Sequence, residues 1–168
     1  MARTFYQACA QASFALLGLW WVVVNRKYEE WRFDPRRRRQ AYDVSLYFAL
    51  PGIMSLVSLL AESSTVLWRS GFIAAAAIGV LETALLLRGE RRAPSLSRVM
   101  QGALAAVLVL YLLVCAVAVR PALAADLGVG LSPLELEGLM VALLVFLGVN
   151  LAWVLFMEPD DADAAPRG

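Results

Sequence analysis

An acidic side chain set well inside an apolar run is the most pointed chemical feature of this 168-residue chain. Glu82 lies in TVLWRSGFIAAAAIGVLETALLL, where a carboxylate costs a few kcal/mol unless it faces a cavity or a partner. Arg88, six positions on, falls on a different helical face, so an intrahelical ion pair does not account for Glu82. A wider polar set lies in or at the edges of the apolar runs: Gln11, Asn25, Ser55, Ser58, Glu62 and Asn150. Side chains of these types line solute pathways or join helices. For Asn150, beside Gly148 and Ala152, the plain expectation is an interhelical hydrogen bond worth about 0.6 to 2 kcal/mol.

Catalysis fits poorly. The chain has no histidine, which removes imidazole acid–base chemistry and histidine ligation of haem or metals. Its one lysine, Lys27, lies between apolar runs, and Asp34, Asp43, Asp126 and the tail aspartates are all away from span centres. Cys9 and Cys115 lie in different runs and form no CxxC pair, so they read as small apolar side chains. No glycine-rich phosphate loop is present. The expectation is a chain with no enzymatic activity, metal or cofactor of its own.

The elements that must position these residues follow from composition. The chain is 61% hydrophobic and 17% charged, with a mean hydropathy of +0.67, against about 25% charged residues in soluble domains. This is the profile of an all-α, polytopic membrane bundle. Five spans are predicted, at about 5–24, 44–61, 65–87, 99–119 and 134–157, each close to the roughly 20 residues that cross a hydrocarbon core. The first ends in Asn25, Arg26 and Lys27 with no small-residue cleavage site, and so reads as a retained span rather than a secretory signal. Residues 1–158 form one transmembrane domain, and the acidic segment 159–168 reads as a disordered tail.

Spacing adds detail within the spans. Gln7, Gln11, Gly18 and Asn25 recur at four and seven, making a polar stripe along span one. Gly52, Ser55, Ser58 and Glu62 make a second stripe along span two, which Pro51 should kink. Gly71, Ala75 and Gly79 are four apart on span three, a face that admits a close neighbouring helix. Glu62 could pair with Arg69 across the 62–64 connection. Asp43 reads as the N-cap of span two, and Tyr28, Trp31 and Phe33 suit a short interfacial helix that Asp34-Pro35 interrupts. Trp20 and Trp21 are placed at the headgroup boundary. The segment 121–132 is expected to press against the membrane or the bundle, and Ser132-Pro133-Leu134-Glu135 to start span five through a capping box.

Charge sets the orientation. Seven of the fifteen basic residues lie between Asn25 and Asp43, including Arg36, Arg37, Arg38 and Arg39, and such short loops stay in the cytoplasm. Five spans then put the N-terminus outside and the tail inside, with twelve basic residues on the cytoplasmic side and three, Arg3, Arg69 and Arg120, on the other. The arginine run is suited to anionic headgroups of a plasma (inner) membrane, at roughly 1 kcal/mol per basic residue, and no feature points to nucleic acid. Two functions remain. One is an ion or small-solute channel or transport pathway built by self-association of the polar stripes. The other is an accessory or scaffold subunit that docks lipid or a membrane-protein partner through its arginine segment.

Overall fold

The computed structural model describes residues 2–61, 64–92, 98–126, 128 and 130–157, with the side chains of 89–92 not included. The chain forms α1 (Ala2–Arg26), α2 (Tyr28–Trp31), α3 (Pro35–Leu60), α4 (Thr65–Arg92), α5 (Arg98–Val119), α6 (Leu123–Asp126) and α7 (Pro133–Met157). Five of them, α1, α3, α4, α5 and α7, are long and apolar enough to cross a membrane by length and composition. The protein is an all-α helical bundle of the integral membrane class, as its composition requires. Glu62 and the tail lie outside the described residues.

The helices run alternately between two ends. One, the arginine end, holds α2, the start of α3 and the close of α7. The other, the hairpin end, holds the start of α1, the α3–α4 connection, α6 and the start of α7. α3 is the axis of the bundle and packs on α1, α4 and α7, while α5 closes the far side against α4 and α7. Its apolar stretch is 61% buried, whereas that of α1 is 17% buried, which makes α1 the peripheral helix. Between the ends the core is apolar and closely packed around Phe48, Met54, Phe72, Val107, Tyr111 and Leu144.

α3 begins about two and a half turns earlier than expected. Asp34 is its N-cap, with Oδ1 accepting from the N–H of Arg36 at 2.8 Å and of Arg37 at 3.3 Å, and Pro35 takes the first helical position, where its missing N–H costs nothing. Asp43 therefore caps nothing: it is an interior helical residue, 1% exposed. The four arginines are the first turns of a helix, fanned around its axis rather than strung along a loop. Asp34→Ala is expected to lower stability by about 1 kcal/mol, read as a fall in the midpoint of thermal unfolding in detergent.

Small residues set the helix spacing. A Cβ on Gly71 would sit 2.5 Å from Val57 of α3, and one on Gly79 would sit 2.6 Å from the ring of Tyr111 in α5. Pro51 leaves the Tyr47 carbonyl without its helical donor, and this carbonyl faces α7 at Gly148, where a Cβ would lie 3.3 Å away. The Ser55 hydroxyl donates to the Pro51 carbonyl of its own helix at 2.8 Å. Trp20 faces protein rather than lipid: it is 4% exposed and its indole N–H donates to the Ala41 carbonyl at 2.9 Å, tying α1 to α3. Trp21, by contrast, is exposed.

The expected start of the last span is present in detail. The Ser132 N–H donates to Glu135 Oε2 at 2.9 Å, and the Glu135 N–H donates to Ser132 Oγ at 3.3 Å, a reciprocal capping box. The segment before it folds into α6, whose Ala124 is buried, and turns back through Gly128 and Gly130 at φ of 66° and 68°, a region L side chains avoid.

Candidate functional site

Four polar assemblies are candidates, and the bundle treats them differently. The stripe on α1 faces outward. Gln7, Gln11, Gly18 and Asn25 are all exposed, while the opposite face buries Tyr6, Ala10, Ser13 and Trp20. Nothing lies within 4 Å of a Cβ at Gly18, and the three side-chain amides meet no partner among the described residues. Gln11 is nine residues into the helix, about 13 Å along its axis at 1.5 Å per residue, which places an amide close to mid-span.

The stripe on α3 faces inward instead. Gly52 is covered by Phe14 and Ser13 of α1, with a Cβ there 3.0 to 3.2 Å from their atoms. Ser55 is fully buried and Ser58 is 8% exposed. This stripe packs α3 within the monomer, as do Gly71, Ala75 and Gly79 on α4. Asn150 is exposed, and its amide donates to the Phe146 carbonyl of its own helix at 2.8 Å, so the expected interhelical bond is not formed. Its side chain saturates itself on the preceding turn because no neighbouring helix covers that face of α7.

At the arginine end, Glu82 finds its partner on α3. Arg39 donates through Nη2 to Glu82 and through Nε to Asp43 at 3.3 Å, so one guanidinium joins two carboxylates on two helices. One turn deeper the Tyr47 and Thr83 hydroxyls lie 3.4 Å apart. Gln40, 5% exposed with its amide unpartnered, lines a cavity of about 20 Å³ beside Asp43 and Tyr47, room for one water. Arg38 lies apart from this group, on the wall of an apolar groove formed by Trp21, Tyr28, Trp31 and Tyr42. Arg36 is exposed and Arg37 half-buried. Arg69 turns to α5, donating to the Ala118 and Val119 carbonyls at 2.8 and 2.6 Å and so satisfying the open end of that helix.

The hairpin end contains a group that the spacing argument passed over. Glu137, one turn into α7, is fully buried, and the donor beside its carboxyl group is the indole N–H of Trp68, which is buried and has no other partner. Tyr6 of α1 and Trp68 of α4 lie against it. The Tyr6 hydroxyl donates to the Leu134 carbonyl at 2.6 Å and sits 3.3 Å from where a Cβ on Gly138 would be. Tyr6 and Trp68 also form the wall of a cavity of about 500 Å³ that Arg3, Ser58, Ser64, Thr65 and Ser132 help to line. The available signal was its offset from Glu135: two positions on, about 200° around the helix, a carboxylate must point into the bundle if Glu135 points out.

Among the described residues, no three His, Cys, Asp or Glu side chains converge as metal ligands would. No protein-family model, curated protein sequence or solved structure matches the chain.

Proposed function

We propose that this protein is a non-catalytic subunit that assembles with copies of itself through α1 and forms an ion or small-solute pathway at the shared axis. The observation that carries this reading is the outward stripe: three amide side chains on a lipid-accessible helix, with a glycine at its middle. An amide left in hydrocarbon costs about 1 to 3 kcal/mol. Amides carry both donor and acceptor, so two copies of Gln11 satisfy one another across a symmetry axis. Gly18 lets the backbones approach. In a closed ring, the same amides face the axis and offer water-like contacts to a permeating solute. Arg36, Arg37 and Arg38 fit a cytoplasmic, anionic headgroup surface of the plasma membrane, in keeping with the charge asymmetry of the chain.

The reading is tested by flux into liposomes carrying the purified protein. Gln11→Leu removes one interhelical hydrogen-bonding pair, worth about 0.6 to 2 kcal/mol, and is expected to weaken association by about three- to thirtyfold and to reduce flux with it. Absence of flux from the wild type, or flux indifferent to Gln11→Leu, removes the pathway reading.

The apolar interior favours a second reading. Met54, Phe72, Val107 and Leu144 separate the polar groups of the two ends, so a single copy offers no polar file. An accessory or scaffold subunit needs none. In that case the α1 stripe binds a different membrane protein, which copurifies with the chain.

A further inference from the structure

We propose that the groove between α1, α2 and the start of α3 holds one anionic phospholipid, its acyl chain laid along Trp21 and Trp31 and its phosphate on the guanidinium of Arg38. The proposal rests on the placement of the arginine segment at the headgroups but not on assembly through α1, because the groove is complete within each copy.

Three observations carry it. The first is an uncompensated charge. Between Arg26 and Tyr42 seven basic residues face three acidic ones, and the acids are already engaged: Glu29 pairs with Arg32 at 3.1 Å, Glu30 pairs with Lys27 at 2.6 Å, and Asp34 caps α3. Arg32 is taken up further by the ring of Phe33, 4.4 Å from its centroid. Arg38, on the groove wall, meets no acidic side chain among the described residues. Its guanidinium is left for an anion from outside, and a phosphate matches its forked set of donors.

The second is the wall itself, which is almost wholly apolar. Trp21, Tyr28 and Tyr42 are exposed around it, and Trp31 and Ala41 are buried beneath them. Such a wall gives a free anion nothing to bind beyond the arginine, whereas an acyl chain packs along it. The third is size and level. The groove holds about 220 Å³, below the roughly 300 to 1,000 Å³ of sites that enclose a small molecule, so it seats one length of a chain whose remainder lies in the bilayer. Trp21 and Val24 belong to the last two turns of α1, just before Arg26 and Lys27, and Arg38 belongs to the first turns of α3. Apolar wall and cation therefore meet where hydrocarbon gives way to headgroups.

The test uses the full chain in phosphatidylcholine bilayers, into which phosphatidylglycerol with dibrominated acyl chains is titrated. Quenching of tryptophan emission is read against dibrominated phosphatidylcholine at the same mole fraction, since a brominated chain in the groove would touch Trp21 and Trp31. The titration is run in 1 M salt, where the Debye length is about 3 Å and diffuse attraction to the arginine segment is screened. Phosphatidylglycerol is expected to quench beyond phosphatidylcholine and to saturate. Arg38→Gln should weaken this preference by about tenfold, the low end for a hydrogen bond to a charged group. Arg36→Gln makes the same change of charge two positions away, about 200° around α3, and should leave the preference within about twofold. Retention of the preference in Gln11→Leu supports a site within each copy, whatever becomes of assembly. Equal quenching by the two lipids, or equal loss in Arg36→Gln and Arg38→Gln, overturns the proposal. Quenching seen only in Gln11→Leu also overturns it, because a second copy would then be what covers the groove.

Discussion

Gly79→Val is expected to destabilise the bundle by about 3 kcal/mol, the upper part of the range for overpacking a filled core. A Cβ at this position would lie 2.6 Å from three atoms of the Tyr111 ring, and Tyr111 is fully buried between α4, α5 and their neighbours, so the ring cannot step aside. Either α4 and α5 separate or Tyr111 leaves its rotamer, and each forfeits contacts across the interface. Gly102→Val on α5 is the matched control, because nothing lies within 4 Å of a Cβ there. Both variants gain the same side chain in a helix, so the difference isolates the packing. Thermal unfolding in detergent with elution profile reads it out. Equal stability of the two variants would show that α4 and α5 do not meet at Gly79.

Arg39→Leu is expected to cost about 2 to 3 kcal/mol. Removing one member of a buried pair strands the other and costs 3 to 5 kcal/mol. Here the guanidinium is 45% exposed, which reduces the figure, while Asp43, with its side chain 2% exposed, stays buried without its cation. Glu82 loses its partner at the same time. The combination of Arg39→Leu with Asp43→Asn and Glu82→Gln removes all three charges together and should recover most of the loss. Arg38→Leu, one position along and away from both carboxylates, should stay within about 0.5 kcal/mol of wild type. Failure of the triple variant to recover stability would mean that Arg39 acts through packing of its stem rather than its charge.

These residues also show what periodicity can and cannot reveal. The spans, the elbow at Tyr28–Trp31, the capping box at Ser132 and the close-packing face on α4 all rest on local patterns, and local patterns are visible in a single chain. The start of α3 was visible too, since Asp34-Pro35 is a cap followed by a proline at the first helical position. It reads as an interruption only because the charged turns that follow carry no apolar face long enough to mark a helix. Partners distant in sequence left no such trace. The stripes on α1 and α3 look alike by spacing, and only the packing of α1 onto α3 decides that Ser55 and Ser58 turn inward while Gln11 turns out. Glu82 meets Arg39 across 43 positions, and no spacing rule relates them. Glu137 was hidden by its neighbour, because Glu135 supplied a sufficient reason for an acidic residue at the start of α7.

Cross-linking through α1 tests the central claim most directly. With Cys9 and Cys115 replaced by alanine, a cysteine introduced by Gly18→Cys lies on the outward stripe, in a place with no neighbour to disturb. Mild oxidation in native membranes should convert most of this variant to a covalent dimer, while Val109→Cys, also exposed, on α5, should remain monomeric. A Gly18→Cys variant that stays monomeric, or that cross-links no better than Val109→Cys, would contradict assembly through α1.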